Sequence, residues 1–363
     1  MYMDILSFNE FLTEAATSGV AADDKGKMHE LLLAKHLHPK GKLPEHHRSE
    51  SENPEHAGTP QQVHDKLKKK IGSAAYNEID RHAKQTAGEV KKHIPKGHKI
   101  HSVHWTSNRD TENKAGDHEK TTGHKDVNSN ADVIVTSHDS KGKKHFHPVS
   151  AKYGSNAQPN FKNAGLATLE KHSGQHGVYT KLHKAHEKHM EDIGYKGSKV
   201  ERHTQYKSDK TKLEAEKKAH KGTGEFKPKS KEAKRAHEAE HSSLAVRTAM
   251  ARAHEKGLAK KSDKELRKHI TDQVSPPTKY PHLVAHSHVH DNGSATSHVH
   301  AAEHIAHEHL KNYKNLHVRK GNGISADIVG THKDTGKERV IASQAFKGSS
   351  GPHKGVAGTF GLR

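Results

Sequence analysis

Cysteine is absent from this chain of 363 residues, which excludes disulfides, thiolate metal sites and cysteine nucleophiles. Aromatic residues make up only 4% of the sequence and hydrophobic residues 29%, below the usual globular share, so the cores that form must be small. No apolar run approaches the length of a membrane span. No Gly-x4-Gly-Lys-Ser/Thr loop is present to cradle a nucleotide, which argues against ATP hydrolysis.

What the chain has in excess is positive charge and histidine. Lys and Arg number 62 against 43 Asp and Glu, a formal charge of +19 before any of the 40 histidines is protonated. Such a balance favours polyanions, nucleic acid above all, and makes binding steeply dependent on salt. The histidines are spread along the whole chain, as expected of a compositional bias on solvated faces; auxiliary neutralisation of DNA or diffuse metal scavenging is the functional alternative. They are densest from His282 to His309. There His286, His288 and His290 share one face if the segment is a strand, and His300, His304 and His307 share one face if it is a helix. Three imidazoles on one face can bind zinc.

Breakers and caps divide the chain. Periodicity predicts a helix over about 24–37, stopped by Pro39-Lys40-Gly41, and a loop over 39–58. Thr59-Pro60-Gln61-Gln62 carries an N-cap, an N1 proline and a capping-box glutamine, and the helix it opens runs to Pro95. Strands follow at about 99–106, 131–137 and 144–153, then helix from Gly165 to Ile193. Residues 196–230 are lysine-rich with little apolar periodicity and read as an insertion or linker. Lys231 to Ile270 reads as an alanine-rich helix broken at Gly257 and restarted by a Ser262-x-x-Glu265 box. Strands and one helix follow Pro276.

The stretch from Thr122 to Asn163 carries the most chemistry. Ala131-Asp132-Val133-Ile134-Val135-Thr136 is an apolar β-branched run of the kind buried on both faces of a sheet. His138-Asp139-Ser140-Lys141-Gly142 supplies a turn, and the chain returns through His145-Phe146-His147-Pro148-Val149-Ser150-Ala151-Lys152. Alternation places Ser150 and Lys152 on one face, where they can meet Asp132. A carboxylate and a lysine so placed are the skeleton of a metal-dependent phosphodiesterase centre: the acid holds Mg²⁺, and the ammonium offsets developing charge and orients water. The bland alternative is that Asp132 caps a strand and Lys152 is a solvated edge lysine.

Through Asn130-Ala131-Asp132-Val133 and Ser150-Ala151-Lys152 the segment resembles the PD-(D/E)xK, or restriction-endonuclease-like, nucleases, particularly phage versions. Val103 to Asn108 and Thr122 to Asp126 look like the approach to that core, and Asn160-Phe161-Lys162-Asn163 like its exit. The resemblance covers about Lys25 to Gly194. It implies an α/β fold in which a mixed sheet is flanked by helices. It also implies Mg²⁺ or Mn²⁺ as cofactor, DNA as partner, Asp132 as metal ligand and Lys152 as the stabiliser of the transition state. The family usually carries Asp or Glu where this chain has Ser150, which leaves Ser150 to hydrogen-bond water or phosphate and one metal ligand to be found elsewhere. Glu30, on the first amphipathic helix, is the first candidate for that ligand and Asp126 the second. An echo of the spacing, Asp327 and Lys347, suggests a duplicated hairpin near the C-terminus.

The N-terminus carries a Ser7-x-x-Glu10 capping box with Ile5, Phe8, Phe11 and Leu12 along one side, and it is too short and acidic for a signal peptide. It resembles the leaders of proteins packaged into the heads of contractile-tailed phages. That resemblance implies cutting by a prohead protease after Leu12-Thr13-Glu14, and residence in the capsid interior and then the host cytoplasm. Leu43-Pro44-Glu45 fits the same pattern, but cutting there would sever Glu30 from the core.

The expected organisation is therefore a leader (1–14), a nuclease-like α/β core (24–195), a charged helical insertion or linker (196–275) and a small histidine-rich α+β region (276–363). The expected function is hydrolysis of DNA phosphodiester bonds by a metal-dependent endonuclease site, with no membrane partner. Two other classes compete: a non-catalytic basic head protein that neutralises packaged DNA or is ejected with it, and a histidine-rich metal-binding protein.

Overall fold

The computed structural model describes residues 22–44, 56–105, 131–155, 160–164, 166–220, 225–275, 281–348 and 356–363. The expected leader and its Glu14 cleavage site, Glu45 and Asp126 lie outside the described residues. The chain divides into two compact units, Met1–Pro159 with Ser275–Ala306, and Asn160–Val274 with His307–Arg363. The division falls at 159/160 and 274/275 where the sequence suggested 195 and 275.

The first unit contains helices α1 (Ala22–Leu37) and α2 (Pro60–Lys92) and strands β1 (Lys99–Trp105), β2 (Val133–His138) and β3 (Lys144–Gly154). It is completed, after the long excursion of the chain through the second unit, by β5 (Leu283–Val289) and β6 (Ala295–Ala301). The five strands lie in the order β1-β2-β3-β5-β6. Strands β1, β2 and β3 form an antiparallel meander, β5 lies parallel to β3, and β6 returns antiparallel to β5. This is the mixed sheet flanked by helices that the sequence led us to expect.

The sequence dictates how the layers stick together. Alternate residues Val133, Val135, Val149, Ala151, Leu283, Ala285 and Val299 meet Leu33, Ala34 and Leu37 of α1 and Ala87 and Val90 of α2. The other side of α1, Met28, Leu31 and Leu32, meets Val63, Leu67, Ile71, Ile79 and Ala83 of α2. Helix α1 is thus apolar on two sides and lies between sheet and helix. Polar contacts fix its ends: buried Asp24 forms ion pairs with Lys70 (2.8 Å) and His56 (2.9 Å), while His36 pairs with Asp80 (2.9 Å). Helix α2 starts with the predicted capping box, Thr59 with Gln62, and breaks at Gly72, whose φ of 79° is left-handed. Pro148 lies inside β3 opposite Ile134, one residue before pairing with β5 begins at Val149.

The second unit contains β4 (Asn160–Ala164), α3 (Leu166–Ser173), α4 (Val178–Asp192), α5 (Lys199–Ala219), α6 (Lys231–Leu258) and α7 (Asp263–Val274). After α8 (Ala302–Leu310), β7 (Tyr313–Lys320), β8 (Ser325–His332), β9 (Glu338–Gly348) and β10 (Val356–Leu362) complete an antiparallel sheet of order β4-β10-β9-β8-β7. Leu169, Tyr179, Met250, Ala251, Phe346 and Val356 form one of its cores.

Three local expectations change. Gly165–Ile193 is two helices in the second unit, separated by Gly174 and Gly177, both at positive φ. The expected core exit Asn160–Asn163 is edge strand β4 of the second sheet. Residues 196–230 contain α5, capped by Ser198 and Glu201, with Tyr206 and Leu213 in a cluster with Ala233 and Ala236 and buried Asp209 paired to Arg235. As expected, α6 ends beside Gly257, at Leu258, and α7 restarts at Asp263 behind the Ser262–Glu265 box; Gly257 also lets the helix pass the Ser173 carbonyl, where a Cβ would clash.

Among the described residues no helix is long and apolar enough to cross a membrane.

Each unit holds a buried neutral histidine. Burial, and in each case a neighbouring histidine, pushes His29 in the first unit and His254 in the second from the ordinary 6.5 down to about 3. As pH falls below about 6.5 the unfolded chain takes up protons that these folded rings refuse. Stability is therefore full above that pH and falls by up to ~1.4 kcal/mol per pH unit per ring on the way to about pH 3. We expect the urea midpoint to drop between pH 7 and pH 5, and His29→Phe, which keeps an aromatic ring but cannot titrate, to lessen the drop. An unchanged slope in that variant would show that His29 does not carry it.

Candidate active site

The centre forms where the start of β2, the end of β3 and the first turns of α1 come together. Backbone pairing runs Val133 opposite Val149 and is extended by the Asp132 N–H donating to the Val149 carbonyl (2.9 Å). That register brings Asp132 to Ser150. Oδ2 of Asp132 accepts from the Ala151 N–H (2.8 Å) and from the Ser150 hydroxyl (3.3 Å), and the Lys152 ammonium stands 3.5 Å away.

Helix α1 delivers the second acid. Glu30 Oε2 accepts from the Lys27 ammonium (2.8 Å) and from the indole N–H of Trp105 at the end of β1 (3.2 Å). The Lys27 ammonium also lies 5.8 Å from the centre of the Trp105 ring, within cation–π range. Asp132 and Lys152 keep 22% and 26% of their side-chain surface open, against 14% for Glu30 and 11% for Lys27. The former pair is the more exposed of the two.

The electrostatics follow from this layering. Burial raises the Asp132 carboxyl above its usual range; Lys152 and then Lys27 oppose the rise, and Glu30 reinforces it. For Lys27 burial works against the charge, but Glu30 and Asp132 outweigh it and the ammonium is held more tightly protonated than usual. Behind the centre, His29 stacks on Tyr153 at 4.8 Å, and the Tyr153 hydroxyl lies 3.3 Å from His82. Among the described residues neither ring nitrogen of His29 finds a hydrogen-bond partner.

Of the residues the sequence singled out, Asp132, Ser150, Lys152 and Glu30 are brought together, and Asp126 lies outside the described residues. Lys27, Trp105 and the His29–Tyr153 stack were missed. The signals available for them were the Lys27-x-x-Glu30 spacing, the presence of a single tryptophan, and the adjacency of His29 to Glu30 and Tyr153 to Lys152.

Two other sequence features do not build centres. Asp327 lies opposite Ser343, whose hydroxyl donates to it at 2.7 Å, and not opposite Lys347, so equal Asp-to-Lys spacing reflects different registers. His286 and His288 lie on β5 with His290 just beyond it, ring centres 5.9 and 4.7 Å apart along the series, but His300 belongs to β6 and only His304 and His307 to α8. The helical triplet is therefore not a triplet. Among the described residues no three His, Asp or Glu are grouped to hold a metal ion by themselves.

The fold and the centre define an α/β protein whose five-stranded mixed sheet carries paired acids and lysines at one strand junction. No family model matches the chain. No curated protein matches it either. Among solved structures it is similar to the restriction endonuclease MspI in complex with its cognate DNA, at 10% identity over 81% of this chain and 82% of that chain, with a TM-score of 0.28. So loose a likeness transfers no residue's role, and the roles below come from this chain's own geometry.

Removing Lys152 takes away the largest force holding the Asp132 carboxyl down. In Lys152→Met we expect its pKa to move further up, read by carboxyl-carbon NMR of the chain labelled at aspartate. No movement would mean that Lys152 does not act on Asp132 in solution.

Proposed function

We propose that this chain binds DNA and hydrolyses its phosphodiester bonds at the Asp132–Lys152 centre, with Mg²⁺ or Mn²⁺ as cofactor. The observation that carries the proposal is the meeting of Asp132, Ser150, Lys152 and Glu30, from three separate elements, at one partly exposed point of the sheet. An arrangement of that kind is costly to maintain, because it buries like charges together and raises Asp132.

The residues present fit a hard divalent cation. Mg²⁺ is commonly held by one or two carboxylates together with substrate phosphate, not by an all-protein cage. Asp132 and Glu30 are two carboxylates, and Ser150 adds a neutral oxygen. The bound ion would supply Lewis-acid polarisation of the phosphate and a lowered pKa for a nearby water.

The chain's own residues do the rest. The Ala151 N–H holds the Asp132 carboxylate in one orientation, so the acid need not reorganise when DNA arrives. Lys152, anchored 3.5 Å from Asp132, is placed to neutralise charge that builds on a non-bridging oxygen as water forms a bond to phosphorus and the strand oxygen leaves. The Ser150 hydroxyl can donate to that phosphate or to the attacking water once it turns from Asp132. The formal +19 of the chain supplies the sequence-independent attraction to the backbone.

Ser150 also favours a second reading. With a hydroxyl where the resembled nucleases carry an acid, the same residues can hold a phosphate without cutting, as a basic DNA-neutralising protein of a phage head requires.

Supercoiled plasmid separates the two readings. In Mg²⁺ or Mn²⁺ the chain is expected to nick it, and Asp132→Ala and Lys152→Ala to lower nicking at least a hundredfold while DNA binding stays within a few-fold and keeps its steep salt dependence. Binding without nicking in all three proteins would reject catalysis and leave the second reading.

A further inference from the structure

Two ammonium groups reach the two acids, where the expected chemistry needs one. Lys152 belongs to the resembled motif. Lys27 does not, yet it is the more enclosed of the two and makes the shorter ion pair, 2.8 Å to Glu30 against 3.5 Å from Lys152 to Asp132. It is held on three sides: by Glu30, by the Trp105 ring, and by the field of Asp132. Trp105 is itself fully buried and donates to the same oxygen of Glu30, so that oxygen already has two donors.

Counting charge decides what this means. Asp132 and Glu30 contribute two negative charges, Lys27 and Lys152 two positive ones, and the cluster is neutral. A dication approaching a neutral cluster gains little, whereas one approaching two carboxylates and a single ammonium gains a good deal. Glu30 cannot give Oε2 to a cation while that atom accepts from Lys27, and a cation on Oε1 would meet the repulsion of the ammonium held 2.8 Å from the neighbouring oxygen.

We propose that Lys27 is a gate on divalent-cation binding: its ammonium occupies Glu30 in the DNA-free chain and must leave before the cation can enter. The proposal rests on the metal-dependent reading of the centre given above. It adds that cation and DNA enter together, because the phosphate brings the negative charge that the neutral cluster lacks. A free protein would then carry little Mg²⁺, and would be primed only on its substrate.

The chain's single tryptophan sits on the gate and reports it. Moving Lys27 off Glu30 takes a cation from beside the Trp105 ring and alters its hydrogen-bond partner, which should change indole emission. We would titrate the full chain with Mg²⁺ in the absence of DNA, following Trp105 fluorescence, with calorimetry on the same samples to count uptake independently of the indole. Lys27→Met removes the ammonium and keeps the stem; Lys27→Arg keeps a cation and checks that the site tolerates substitution. Asp132→Asn, alone and with Lys27→Met, tests whether uptake occurs at this centre.

The expected result is weak uptake by the natural chain, a midpoint at least tenfold lower in Lys27→Met, a midpoint near the natural one in Lys27→Arg, and loss of uptake whenever Asp132→Asn is present. If Asp132→Asn abolishes uptake but Lys27→Met binds no tighter than the natural chain, the gate is overturned and the metal-binding reading survives. If uptake in every protein is indifferent to Asp132→Asn, or none takes up Mg²⁺ even with DNA oligonucleotide added, the metal-binding reading falls and the gate with it.

Discussion

The centre depends on the register of β2 against β3. Val133 opposite Val149 puts Asp132 beside Ser150, and with the same stroke turns Val133, Val135, Val149 and Ala151 toward the helices. A slip of one residue would send Ser150 and Lys152 into the apolar layer and bring the valines out. The hydrophobic contacts of the sheet therefore enforce the geometry of the centre: the burial of four small apolar side chains decides where an acid and a lysine meet. The Ala151 N–H completes the lock, since the amide that donates to Asp132 belongs to the residue between Ser150 and Lys152.

Helix α1 plays the corresponding part for the second acid. Its apolar residues occupy two sides, and little freedom remains for the turn that holds Lys27 and Glu30. Asp24, paired with both Lys70 and His56, pins the start of the helix, so the height of Glu30 along the sheet is set by contacts remote from it. In a chain with few aromatic residues, the one tryptophan is spent at this junction, closing the apolar cluster between α1 and α2 with its ring while its N–H serves Glu30.

Much of this was legible in the sequence, and the reasons are particular. The hairpin of β2 and β3 announces itself by a β-branched run, a glycine turn and a second run; α2 by its Thr59–Gln62 box; Glu30 by the amphipathic helix that carries it. Strands β5 and β6 were harder because alternate positions are histidine and serine, and because a parallel partner for β3 can lie anywhere along the chain. Helix α5 carries its Ser198–Glu201 box in plain view, but buries Tyr206 and Leu213 seven residues apart, too sparse a stripe to outweigh the lysines around it. Lys27 was invisible for a different reason. A lysine three residues before a glutamate is the ordinary signature of a solvated helix face. Only the arrival of Trp105 from β1, some eighty residues along, turns it into a buried pair.

The interruption of the first sheet has a consequence for the order in which the protein comes into being. Strand β3 is made early, but its neighbour β5 follows only after Asn160–Val274 has been synthesised. At roughly 5–20 residues per second that interval is on the order of ten seconds, during which the nascent sheet ends in an unpaired edge at Ser150 and Lys152. A ribosome-bound chain thus holds the acid and lysine of the hairpin before the sheet around them is closed, and the charge of Lys152 is well placed to keep that edge from pairing with the wrong strand.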